Sequence, residues 1–191
     1  IPIDVKNLGI DMLSASAHKF NGPKGVGFLY VRKGVKLPPF LNGGAQENSK
    51  RAGTENIAGI VAMAAALKKN CSNLLYHISQ IQSMEERLLA GLSAKKMQFV
   101  RNGVNTAPGI VNLSFPGADG EAILHRLDLR GICVSTGSAC DSKNPEISHV
   151  LRAINLDEQY AYGTIRISLG INNTSDEVDT IVTELSKIIS Q

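Results

Sequence analysis

The sequence predicts an α/β chain: the end of one α/β domain, a helical connector, and a complete small α/β domain. Three observations carry that reading. Short apolar runs bounded by Gly, Pro and Lys alternate with stretches whose apolar residues recur at helical spacing. The chain has 191 residues, somewhat more than one domain at ~150 residues each. Hydrophobic residues make up 43% and charged residues 19%, enough to bury a core and too apolar for disorder.

The elements follow in order. Ile10 to Leu13 and Val26 to Val31 are short apolar runs with turn residues around them and read as buried strands. Pro38-Pro39 and Gly43-Gly44 break the chain and open a polar loop, Gly44 to Thr54, whose Thr54 is placed to cap the alanine-rich helix that runs to about Lys69. Asn70 to Asn73 interrupts. A second helix then carries Leu74, Ile78, Ile81, Leu88 and Leu92. These boundaries give a first segment at 1–55, a helical connector at 56–94 and the small domain at 95–191.

Within the last segment Ile110 to Phe115 reads as a strand. Asp119 caps a helix with Ile123, Leu124 and Leu127, which Gly131 ends. Ile132 to Ser135 reads as a short strand. Asn144-Pro145 makes an N-cap and first-turn pair for a helix with Ile147, Val150, Leu151 and Ile154 on one face. Ile165, Ile167 and Leu169 alternate with Arg166 and Ser168, the pattern of a half-buried strand. Thr174 and Glu177 form a capping box before a final helix with one apolar stripe through Val178, Ile181, Val182, Leu185, Ile188 and Ile189.

Composition narrows the function. The net charge of +3 is weak and its cations are scattered, so no nucleic-acid footprint is visible. The longest apolar run, Ile57 to Leu67, is too short to span a bilayer, and the first residues carry no signal or transit pattern. Cys71, Cys133 and Cys140 form no CxxC pair and lack histidines at ligand spacing, so neither a disulfide scaffold nor a structural metal site is expected. A reducing cytoplasm suits three unpaired thiols.

Four segments could carry chemistry. SASAHKFNGPKGVG, residues 14–27, sets Lys19 after a strand, beside His18 and before a glycine-rich turn. That suits a Schiff-base lysine whose amine is kept neutral by shielding, with Ser16 and His18 available to a phosphate or ring; alone, it suits a surface lysine on a turn as well. GGAQENSKRAGTEN, residues 43–56, offers Lys50, Arg51, Thr54 and backbone donors at a helix start, which suits an anion or an ordinary capped helix. STGSACDSKNP, residues 135–145, is rich in small and turn-forming residues and should be an exposed loop. Its Cys140 is placed to act as a nucleophile or sulfur carrier, or is an incidental thiol. Cys133, between Ile132 and Val134, is expected to be buried and inert. Arg166 faces away from the apolar side of its strand, where it could fork onto a carboxylate or simply meet solvent.

Taken together and in this order, SASAHKFNGPKGVGFLYVRKG, GGAQENSKRAGTEN, STGSAC and TIRISLG resemble the cysteine desulfurases of the NifS/IscS type, from Ile1 to the last helix. The resemblance implies a pyridoxal-phosphate-dependent enzyme of the aminotransferase fold (fold type I). By that likeness Lys19 holds pyridoxal 5'-phosphate and moves the substrate's α-proton, and Ser16 and His18 contact the phosphate. Thr54 reaches the cofactor of the neighbouring subunit, so a homodimer is implied. Arg166 binds the carboxylate of L-cysteine. Cys140 becomes a persulfide and passes sulfur to an iron–sulfur scaffold or another acceptor protein, with transient contact to a cluster conceivable in that hand-over. The spacing around Cys140 is similar to the long-loop group that serves iron–sulfur cluster assembly. Neither nucleic acid nor membrane is an expected partner.

The family's chains are about twice as long. On this reading the sequence, which starts at Ile1 without an initiator Met, is the C-terminal part. The other half would bring the histidine stacked on the pyridoxal ring, the aspartate at the pyridine nitrogen, a glutamine and most phosphate contacts. The piece is therefore expected to be inactive alone, with pyridoxal phosphate absent or weakly bound. A lyase acting on selenocysteine or cysteine sulfinate, and a non-catalytic module docking a scaffold protein, are the competing readings.

Overall fold

The computed structural model describes residues 1–136 and 147–190. The chain divides into two compact units, Ile1–Leu74 and Leu75–Gln191. The two expected connector helices fall on either side of that division.

In the first unit β1 (Met12–Ser16) pairs antiparallel with β2 (Gly27–Val31), Met12 opposite Val31 and Ser16 opposite Gly27. A 3-10 turn, Ala17–Phe20, follows β1. The expectation of buried strands is corrected here. Each strand has one neighbour, alternate residues point outward, and Met12 and Leu29 are exposed. α1, Gln46–Ser49, is a single turn in which Glu47 and Asn48 take left-handed φ of 50° and 54°. The flanking chain is strapped together by Phe40 N–H donating to Lys50 O and Ala52 N–H to Leu41 O.

α2 spans Ile57–Cys71. Its cap is Asn56, whose Oδ1 accepts from Gly59 N–H at 3.0 Å, so the cap expected at Thr54 lies two residues later. Asn beside the first helical residue competes better than a threonine further back. The interruption is also shorter than expected: Asn70 remains helical, and the break comes at Ser72 and Asn73, where φ is 59°.

The second unit starts with α3 (Leu74–Ala94), which buries Met84, Glu85, Leu88 and Leu92. A three-stranded antiparallel sheet runs in the order β3 (Val100–Arg101), β4 (Ile110–Ser114), β5 (Thr164–Ser168). Val111 faces Ile167 and Leu113 faces Ile165, forming the apolar side. Against it pack Leu88 and Leu92 of α3, Ile123 and Leu127 of α4 (Gly120–Asp128), and Val178, Ile181, Val182 and Leu185 of α7 (Ser175–Ile189). Phe115 closes the cluster, tilted against Phe99 at 6.4 Å between ring centroids. Two short helices, α5 (His149–Ala153) and α6 (Glu158–Ala161), lie before β5.

Capping holds where the sequence put it for α4, on Asp119, and for α7, on Thr174 and Glu177. Two expectations are corrected. Residues 132–135 form no strand: only Ser135 pairs, as an isolated bridge to Arg166. α5 is capped by Ser148 and buries Leu151 alone of the expected stripe, with Val150 and Ile154 exposed. Asn144 and Pro145 lie outside the described residues. Among the described residues no helix is long and apolar enough to cross a membrane, and no cluster of three or more His, Cys, Asp or Glu could hold a metal ion.

Candidate functional site

Lys19 is presented by a locally braced turn. Ala17 is fully buried, its N–H donates to Val26 O at 3.0 Å, and its O accepts from Gly22 N–H at 2.8 Å. Asn21 leaves the turn with a left-handed φ of 65°. Glycine is needed at Gly27, where a Cβ would sit 2.5 Å from Ala15 O. With Ala17 as the pin, Ser16, His18 and Lys19 all point outward and are exposed.

These three side chains have no hydrogen-bond or ion-pair partner among the described residues, and the Ser16 hydroxyl does not cap the turn behind it. A primary amine flanked by a free hydroxyl and an imidazole is a donor set that fits pyridoxal phosphate, with the amine for its aldehyde and the other two for phosphate oxygens. The turn has one distant brace. Asn70 Nδ2, in the last turn of α2, donates to Phe20 O at 2.7 Å and to Ala66 O at 2.9 Å.

Thr54 is exposed in the same unit and, freed from capping, has no described partner. The two cations of its loop are committed: Lys50 Nζ donates to Leu37 O at 2.6 Å and Arg51 Nη1 to Ala52 O at 3.0 Å. Backbone carbonyls hold both, which weakens the case for an anion site built on them.

Arg166 lies in β5, half-buried, on the side of the sheet opposite the core. Its backbone N–H and O both bond to Ser135, at 2.6 and 3.0 Å. Its guanidinium has no side-chain partner among the described residues. On the same face Asn102 Nδ2 donates to Asn112 Oδ1 at 2.6 Å and to Ser114 Oγ at 2.7 Å, and Ser114 Oγ lies 2.6 Å from Thr164 Oγ1. This polar network was not foreseen. Its signal was the polar residue at every second position of β4, Asn112 and Ser114 between Val111, Leu113 and Phe115.

Cys140 lies outside the described residues. Cys133 is exposed, against expectation: Ile132 and Val134 turn toward the core and Cys133 alternates outward between them.

Among the described residues, Lys19 in the first unit and Arg166 in the second have no side-chain partner. The chain belongs to the aminotransferase class-V family, whose pattern it matches over residues 1–181. It is 44% identical to "Cysteine desulfurase IscS" of Dictyoglomus turgidum over 193 residues and 48% identical to "Cysteine desulfurase" of Klebsiella pneumoniae over 194. Each alignment takes in 100% of this chain, and 49% and 48% of those proteins, so the chain spans about half the length of the curated relatives it matches. Among solved structures it is similar to a "NifS-like protein" at TM-score 0.87 and 36% identity, covering 100% of this chain and 49% of the other. A NifS-like protein from Rickettsia africae also gives 0.87, at 31% identity, with 100% and 51% covered.

Proposed function

We propose that the chain supplies the cofactor lysine, the substrate arginine and the sulfur-carrying cysteine of a cysteine desulfurase. The observation that carries this reading is the Lys19 turn, with three outward groups that have no partner among the described residues, in a chain that aligns over its whole length with about half of proteins of that name.

In this reading Lys19 binds pyridoxal phosphate and moves the substrate's α-proton, while Ser16 and His18 hold the phosphate. The cofactor, when bound, supplies an electron sink. Arg166 orients L-cysteine by a fork onto its carboxylate. Cys140, as thiolate, attacks the substrate's sulfur: an S–S bond forms, the substrate's Cβ–S bond breaks, and the carbon skeleton takes up protons to leave as L-alanine. The persulfide on Cys140 then passes to an acceptor, an iron–sulfur scaffold being the partner the resemblance favours. Thr54 serves the neighbouring subunit's cofactor in a homodimer, and the compartment is the cytoplasm.

The test is single-turnover chemistry in a full-length protein that carries this chain together with the half its relatives add, loaded with pyridoxal phosphate. L-Cysteine should yield alanine and one Cys140-bound sulfur, and Cys140→Ser should abolish sulfur transfer from L-cysteine. Retained transfer in that variant, or activity confined to selenocysteine or cysteine sulfinate, would reject the persulfide role.

A further inference from the structure

We infer that Asn112 is a second donor to the substrate's carboxylate, acting beside Arg166; this deepens the proposed function and rests on its assignment of Arg166. The argument begins with strand pairing. Arg166 sits directly opposite Asn112 across β4 and β5, so their side chains share one face of the sheet. Arg166 spends both its backbone N–H and its carbonyl on Ser135, on the other side of β5. Asn112 likewise directs its carbonyl away, toward Asn102 N–H at 2.9 Å. In an antiparallel ladder this makes Asn112 and Arg166 a non-hydrogen-bonded pair, the class in which facing side chains stand closer.

Chemistry then orients the amide. Asn102 Nδ2 donates to Asn112 Oδ1, and its second N–H goes to Ser114 Oγ, which in turn meets Thr164 Oγ1. Asn102, Ser114 and Thr164 are buried, so the network is anchored. The carbonyl side of the Asn112 amide is therefore committed toward β3. Its NH2 has no acceptor among the described residues, and the strand opposite carries a guanidinium that also lacks one. A carboxylate presented to Arg166 would meet both: a fork from the guanidinium and a single N–H from the amide.

The experiment compares Asn112→Ala, Asn112→Asp and Arg166→Ala in the pyridoxal-loaded full-length protein that carries this chain. Steady-state kinetics on L-cysteine are joined by binding of L-alanine and L-alaninamide, followed by the cofactor's absorbance, and by Tm. Asn112→Ala should raise KM about tenfold while kcat stays within about twofold, as for one lost hydrogen bond to a charged group. Asn112→Asp keeps an acceptor for Asn102 but offers Arg166 an internal carboxylate. It should raise KM further with little change in Tm. Both variants should weaken L-alanine binding and leave L-alaninamide unaffected.

If Arg166→Ala raises KM strongly and both Asn112 variants leave it unchanged, the inference is wrong and the Arg166 assignment stands. If Arg166→Ala leaves KM unchanged, the assignment fails and this inference falls with it. A drop in Tm with equal losses for alanine and alaninamide would make Asn112 a structural residue only, and would overturn the role given to it here.

Discussion

The Lys19 turn shows how an exposed side chain is positioned by small residues behind it. Ala17 anchors the turn, and Gly27 keeps β2 close enough to hold it. Gly27→Ala would force a Cβ to within 2.5 Å of Ala15 O. It should destabilise the first unit by about 1–3 kcal/mol, read as a lower denaturant midpoint. Lys19→Ala should leave that midpoint unchanged, since an exposed side chain with no described partner contributes no packing. On the proposed reading it should nevertheless remove the visible band of lysine-bound pyridoxal from a loaded full-length protein that carries this chain. The turn that carries Lys19 was legible because its motif is contiguous. Cys133 was not: its apolar neighbours suggest burial, and only the outward alternation of one residue between two core contacts reverses that. The polar alternation of β4 marks Asn112 locally, but its place opposite Arg166 lies in the register of β4 against β5, which no local pattern encodes.

Elements with two independent signals were read well. α7 combines an apolar stripe with a capping box, and the structure has both: Glu177 N–H donates to Thr174 Oγ1 at 3.3 Å and Thr174 N–H to Glu177 Oε2 at 2.9 Å. Thr174→Ala should cost about 1 kcal/mol, measured by chemical denaturation. The backbone N–H of Thr174, with help from Asn173, holds the Glu177 carboxyl below its ordinary 4.5. The Arg87 hydrogen bonds similarly hold Asp179 below 3.8. A carboxyl depressed in the folded state stabilises fully above its unfolded value, and that contribution is lost as pH falls through the folded one. The second unit should therefore lose stability below about pH 4.5, and Glu177→Gln should flatten that slope. Elements with a single signal fared worse. Thr54 and Asn56 are both good caps, and only the backbone path into α2 decides between them. Residues 132–135 have a strand's composition but lie beside β5, where one bridge at Ser135 is all the pairing they make.

At the scale of the whole chain the two units differ in how they are held. Fully buried apolar side chains belong almost wholly to the second, where Leu88, Leu113, Phe115, Ile165 and Leu185 have no exposed surface; in the first, Ala17 is the comparable residue. Phe115→Ala should cost about 3–5 kcal/mol and unfold the second unit at ordinary temperature. Amide hydrogen exchange should be slower in β4 and β5 than in β1 and β2, because protection follows buried contacts; equal rates would contradict this division. The helix-rich second unit was legible as a whole because its periodicities are long and mutually consistent. The first was read less well, since its two-stranded ribbon leaves Met12 and Leu29 exposed, where composition alone argued for buried strands.

The tie from Asn70 to Phe20 also sets an order of events. The β1–β2 hairpin that frames Lys19 is local and can close as soon as Val31 is made. Among the described residues, the carbonyl at the end of its turn is satisfied by a side chain fifty residues further on. A chain emerging from the ribosome thus completes the lysine's setting only once α2 is nearly finished. Asn70→Ala should accordingly leave the hairpin formed but, on the proposed reading of Lys19, delay the moment at which that lysine can capture an aldehyde, a delay that stopped-flow refolding of the full-length protein with pyridoxal phosphate would record.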